Sequence, residues 1–206
     1  MDPGTRVLIR IDGLWFCSRL RTMPFGRAKK PPAPLDAVAL FDYAVKALGR
    51  RMRSEAELRR LMLARVEQGE PGEAAIAAVL IRLKEYGYLD DVTFAETYAR
   101  LRHENEKFGQ RRVQQDLKQK GVPDALIAET IEARYSQTDE VALARQHLER
   151  KRLRKPENDK ETARIMRRLV AAGFSTGAIR QVLRQWEIPD EALSALDNLD
   201  EEIHEE

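Results

Sequence analysis

An all-α fold of tandem three-helix repeats is what these 206 residues predict, on three observations. The first is a recurrence at a 52-residue offset. Leu117-Lys118-Gln119-Lys120-Gly121-Val122, leading to Ile127 and Ile131, returns as Leu169-Val170-Ala171-Ala172-Gly173-Phe174, leading to Ile179 and Leu183. In both copies an apolar residue closes a helix, Gly follows four positions on, and an apolar pair at i,i+4 opens the next helix. That is the mark of stacked helical units. The second observation is composition: Ala, Leu, Arg and Glu, all strong helix formers, are plentiful and aromatic residues are few. The third is that β signals are confined to the N-terminus. Together they predict about nine helices in an elongated, curved stack behind a short N-terminal appendage.

The elements follow in order. Val7-Leu8-Ile9-Arg10-Ile11 is strand-like, Asp12-Gly13 signals a turn, and Leu14-Trp15-Phe16 reads as a returning strand, so the appendage is expected to hold a β-hairpin. Residues 27–34 are basic and proline-rich, a stiff linker. Helix one spans about 36–48 with Val38, Phe41, Val45 and Leu48 on its buried face, and Gly49 stops it. Ser54 and Glu57 form a capping box before helix two, which buries Leu58, Leu61 and Met62. Residues 69–72 read as a loop, and helix three spans about 73–86 on Ile76, Val79, Leu80 and Leu83. After Gly87, Asp90 and Asp91 cap helix four, which carries Phe94, Tyr98 and Leu101. Phe108-Gly109 turns into helix five, with Val113 and Leu117. Pro123 suits the first position of helix six, where no N–H is needed. That helix buries Leu126, Ile127 and Ile131. Ser136 to Asp139 reads as another capping box, before helix seven with Val141, Ala144 and Leu148. Pro156 precedes helix eight, with Ile165 and Leu169, and Gly173 precedes helix nine, with Ile179, Leu183 and Trp186.

Grouped in threes, the helices give repeats at 35–90, 91–135 and 136–187, after an appendage at 1–34 and before an acidic tail at 188–206. The first repeat carries an insertion: fifteen positions separate Leu61 from Ile76, where ten separate Leu117 from Ile127. A three-helix unit buries little apolar area alone, so neighbouring units should share faces.

The formal charge of +2 hides an asymmetry. Residues 187–206 hold nine Asp/Glu and no Lys or Arg, which leaves the preceding chain at +11. Such a body attracts a polyanion or an acidic protein face. Cys17 is the single cysteine, so no disulfide framework or cysteine-rich metal site is available. No apolar run is long enough for a membrane span and no secretory leader is evident. A soluble, cytoplasmic monomer is expected. His103, His147 and His204 lack metal-ligand spacing, no phosphate-binding or dinucleotide glycine pattern occurs, and no cofactor is expected.

The basic residues carry the functional lead. Arg59 and Arg60 lie on helix two, and Arg111, Arg112, Lys118 and Lys120 on or beside helix five. Lys151, Arg152, Arg154 and Lys155 follow helix seven, and Arg164 and Arg168 lie on helix eight. Their recurrence at related repeat positions predicts one basic face, suited to phosphates without sequence preference or to an acidic protein surface. Ordinary solvated helix surface is the plain alternative. Tyr86, Tyr88 and Phe108 are expected to pack at joints between units, with stacking on a base as the alternative.

Leu83-Lys84-Glu85-Tyr86-Gly87-Tyr88-Leu89-Asp90-Asp91-Val92-Thr93-Phe94-Ala95, with Tyr98 and Arg100 after it, resembles a stretch of the bacterial RecX family, regulators of the RecA recombinase. Gly109-Gln110-Arg111-Arg112-Val113 and Leu117 to Val122 look like that family's second repeat, Ser54, Glu57, Leu58 and Leu61 like its first, and Leu169, Gly173, Phe174 and Ile179 like its third. The likeness covers roughly residues 35–187. It implies tandem three-helix repeats and no enzymatic activity. It also implies binding to the RecA filament on single-stranded DNA, with modulation, chiefly restraint, of recombinational repair and the SOS response. A helical protein that binds nucleic acid without a recombinase partner stays open as the alternative.

Overall fold

The computed structural model describes residues 34–189 and Leu193 in full, and residues 8–11 and 14–17 as backbone. The chain divides into two units, Met1–Ala33 and Pro34–Glu206. In the first, β1 (Leu8–Ile11) and β2 (Leu14–Cys17) pair antiparallel, with Leu8 opposite Cys17 and Ile11 opposite Leu14. The Asp12-Gly13 turn, the linker to residue 33 and the tail beyond residue 189, apart from Leu193, lie outside the described residues.

The second unit is all-α. Its described helices are α1 (Ala37–Arg50), α2 (Glu55–Leu63), α3 (Glu70–Glu85), α4 (Asp91–Leu101), α5 (Gln110–Gln119), α6 (Asp124–Tyr135), α7 (Glu140–Arg150), α8 (Asp159–Ala171) and α9 (Thr176–Arg184). They pack in threes. α3 lies against both α1 and α2, α6 against both α4 and α5, and α9 against both α7 and α8. A π-helical turn, Arg102–Glu106, prolongs α4.

Several sequence expectations shift by a face or a turn. The buried face of α1 is Leu40, Ala44 and Ala47, while Val38 is 71% exposed. The small alanines let α3 approach closely, and the larger Phe41 and Leu48 flank the contact instead of forming its centre. α3 starts at Glu70, earlier than expected, because Pro71 lies in its first turn, where a missing N–H costs nothing. Gly72 is therefore helical, with the Glu67 carbonyl where a Cβ would stand. Asp139, not Ser136, is the N-cap of α7: its carboxylate accepts from Val141 and Ala142, while Ser136 ends α6. In α2 the residues fully buried are Leu58 and Met62, with Leu61 half-exposed.

The joints between repeats explain the 52-residue recurrence. Gly121 and Gly173 follow α5 and α8 with φ of 76° and 87°, a region that only glycine enters at little cost. A Cβ on Gly121 would overlap Ala56 at the start of α2, and one on Gly173 would overlap the backbone of Arg112 at the start of α5. The carbonyl before each glycine is received by the preceding repeat. Ser54 Oγ donates to Lys120 O at 2.6 Å, and Gly109 N–H donates to Ala172 O at 2.9 Å. Ser54 and Gly109 are the N-caps of α2 and α5. The middle helices thus meet end to start, α8 on α5 and α5 on α2, which pairs the negative end of one dipole with the positive end of the next.

The two joints differ in chemistry. Repeats two and three share one core, in which Phe108, His147 and Phe174 meet ring to ring. Repeat one keeps a core of its own around Leu40, Leu58, Met62, Ile76 and Leu83. Its contact with repeat two is polar: Lys120 Nζ lies 3.0 Å from Glu57 Oε1, Arg60 donates to Gln119 O at 3.2 Å, and Glu55 N–H donates to Asp91 Oδ1 at 2.8 Å.

Candidate nucleic-acid interface

Four of the predicted basic residues converge in repeat three. Arg154 and Lys155 from the α7–α8 loop, and Arg164 and Arg168 from α8, line a cavity of about 340 Å³ floored by Leu153 and Ile165. Positions 161, 164, 165 and 168 share one helical stripe, which is why Glu161 joins the two arginines there. The loop is held from both ends. Arg152 takes a left-handed φ of 53°, Leu153 N–H donates back to Leu148 O at 2.9 Å, and Pro156 is buried. Glu161 accepts from Glu157 N–H at 3.0 Å, and Lys155 pairs with Glu187 at 3.0 Å. Among the described residues, Arg154, Arg164 and Arg168 have no carboxylate partner within ion-pair distance. A cluster of exposed guanidiniums around a concavity suits phosphate oxygens, which they meet in bidentate geometry.

The other predicted residues do not join this face. Arg59 pairs with Glu73 at 2.8 Å within repeat one. Arg60 and Lys120 are used in the first joint, where Lys120 also lies 5.2 Å from the Tyr98 ring. Arg112 pairs with Asp116 at 3.0 Å beside the second joint, and Arg111 stands next to it, exposed and partnered. Lys118 and Arg152 are exposed, and Lys151 reaches Glu106 at 3.5 Å. Equivalent positions therefore do different work. Arg112 and Asp116 form an ion pair where the 52-residue offset places Arg164 and Arg168 in repeat three.

Asp90, Asp91, His103 and His147 are built into the fold. Asp90 caps α4, accepting from Val92 N–H and the Thr93 hydroxyl, and those bonds hold its carboxyl below the ordinary range. Asp91 caps α2 instead, through Glu55 N–H, and burial raises it. His147 is 4% exposed, with Nδ1 at 3.0 Å from Glu106 O. His103 packs edge-on against Tyr135 at 5.1 Å. Burial pushes both imidazoles down. Among the described residues no group of three or more His, Cys, Asp and Glu side chains is placed to hold a metal, and no helix is long and apolar enough to cross a membrane.

Arg82, Tyr86 and Tyr88 form a second surface in repeat one that charge counting alone does not find. Tyr86 and Tyr88 are 57% and 58% exposed, against the expectation that they pack at a joint. Phe108 does meet that expectation, half-buried against the core of repeats two and three.

Comparison with known proteins places this architecture. The family model described as "RecX, second three-helix domain" matches residues 90–131, the α4 to α6 repeat. The regulatory protein RecX of Leptothrix cholodnii is 35% identical over 141 residues, 68% of this chain and 85% of that protein. RecX of Mycolicibacterium smegmatis is 35% identical over 159 residues, 74% and 81% of the two chains. RecX of Bacillus velezensis is 31% identical over 161 residues, but this chain spans only 59% of its length. The crystal structure of RecX from Lactobacillus salivarius superposes with a TM-score of 0.53 over 73% of this chain and 96% of that one, at 18% identity. A second crystal structure of a regulatory protein RecX gives 0.56 over 71% and 70%, at 20% identity, and both likenesses bear on the fold alone. On the extent of the sequence matches and the match to the middle repeat, the chain belongs to the RecX family of regulatory proteins.

Proposed function

We propose that this protein is a non-enzymatic modulator of a RecA-type recombinase, binding the filament on single-stranded DNA and restraining its activity in recombinational repair and the SOS response. Membership of a family of regulatory proteins supports the class of function. The observation that carries the contact is the repeat-three cavity, with Arg154, Arg164 and Arg168 left without carboxylate partners among the described residues. Guanidiniums at such a surface exchange counterions for backbone phosphates, so binding weakens steeply with salt. The joints supply a rigid frame, because the glycine contacts and the end-to-start helices fix each repeat against the next. Lys118, Arg111 and Lys151 lie on exposed surface outside the cavity and make separate contacts with the partner in this reading.

The test is binding at one near-physiological salt concentration to bare single-stranded DNA and to the same DNA coated with RecA. Clear preference for the coated strand is expected. Equal or weaker binding to the filament makes the protein an autonomous nucleic-acid binder and refutes the recombinase partner.

A further inference from the structure

The turn that closes α3 departs from its counterparts. Gly87, Gly121 and Gly173 each follow a helix with positive φ, and in each turn two backbone bonds run back into the helix. Gly87 N–H donates to Lys84 O and Tyr88 N–H to Leu83 O; Gly121 and Val122 donate to Lys118 and Leu117; Gly173 and Phe174 donate to Val170 and Leu169. In this motif the residue after the glycine usually packs an apolar side chain back on the helix. Val122 and Phe174 do so, at 4% and 1% exposed. Tyr88 does not, and Leu89 takes the buried place at 3%.

The exposed ring belongs to a continuous patch. Tyr88 and Tyr86 have centroids 6.2 Å apart, and Tyr86 meets Phe41 edge-on at 6.0 Å. The Arg82 guanidinium lies 4.7 Å from the Phe41 centroid and 5.9 Å from that of Tyr86. Tyr88 and Met52 share a cleft of about 190 Å³ with Arg53 on its wall. Asp90 also lines that cleft, but its carboxylate is engaged by Val92 and Thr93. Arg82 has no carboxylate partner among the described residues.

We propose that this face of repeat one is a stacking platform for the bases of single-stranded nucleic acid. Tyr86 and Tyr88 supply the ring faces, and Arg82 and Arg53 supply positive charge for the adjoining phosphates. The occupant follows from the pairing of features. Exposed rings accept any base face, and guanidiniums beside them accept an anionic backbone, which is the combination single-strand binders use. This rests on the nucleic-acid half of the function proposed above and adds that the bases are gripped as well as the phosphates. Its test needs no recombinase.

Anisotropy titrations would compare two labelled oligomers of equal length and charge, one of thymidines and one of abasic sugar-phosphates. The wild-type protein should bind the thymidine strand at least about fivefold more tightly. The Tyr86→Ala/Tyr88→Ala double variant should lose that preference with its salt dependence unchanged, and the Tyr86→Phe/Tyr88→Phe variant should keep it. Circular dichroism and thermal melting check that each variant folds. An Arg164→Gln/Arg168→Gln variant should weaken both strands equally and retain the preference. Equal wild-type binding to the two strands overturns the proposal, as does no binding to either, while the filament comparison still decides the function separately. A preference that survives in the double-alanine variant overturns it too. If that same variant has lost binding to the coated filament, the face docks protein instead.

Discussion

At the scale of single residues, the glycines and histidines make opposite kinds of prediction. Gly173→Ala places a Cβ against the Arg112 backbone and forces a left-handed alanine, so it should cost about 2–4 kcal/mol in chemical denaturation. Gly49→Ala, in α1 with nothing within 4 Å, should instead stabilise by up to about 1 kcal/mol. His103 and His147 are held neutral, first by burial and then by Arg134 and Lys107 beside the former and Lys151 beside the latter, against Glu104 and Glu106. The unfolded chain takes up protons near pH 6.5 while the folded one resists, so stability is full above that pH and falls as the pH drops below it. The urea midpoint should therefore be lower at pH 5 than at pH 7.5. The His103→Gln/His147→Gln variant should show a flatter dependence between the two, whatever its absolute stability.

At the scale of elements, the polar first joint and the repeat-three cavity can be separated. Glu57 and Lys120 pair across the first joint with side chains 15% and 20% exposed. A double-mutant cycle between them should give a coupling of about 1 kcal/mol, more than an open surface pair supplies. Changing Arg154, Arg164 and Arg168 to Gln should leave the melting temperature within a degree or two of wild type, about what surface changes without partners cost. The same change should reduce polyanion affinity and flatten its salt slope. Helix number, order and most boundaries among the described residues are legible in the sequence because Ser54, Asp90, Ser175 and the helix-closing glycines are local signals, and each caps or closes its own helix in the fold. The site was less legible. Which basic residues converge depends on partners far along the chain, such as Glu57 for Lys120 and Glu73 for Arg59. The buried face of α1 is hard to read for a related reason: large apolar residues dominate a periodicity count, whereas the helix buries Leu40 with the small Ala44 and Ala47. Phe41, one of the large residues passed over, stands beside the exposed Tyr86.

At the scale of the whole molecule, the joint glycines that close α5 and α8 build a frame, and divergence of equivalent side chains assigns the frame its tasks. Repeat two pairs Arg112 with Asp116 and commits Lys120 to the first joint, repeat three gathers arginines in a cavity, and repeat one exposes rings. Membership of a family of regulatory proteins supports the reading that this protein acts on the activity of another. The most direct measurement is therefore RecA's own DNA-dependent ATP hydrolysis on single-stranded DNA as this protein is added. The rate should fall with increasing protein, and the Arg154→Gln/Arg164→Gln/Arg168→Gln variant should require a higher concentration for the same effect. A rate that stays unchanged at concentrations that saturate binding to the coated strand would contradict the proposed modulation of the filament.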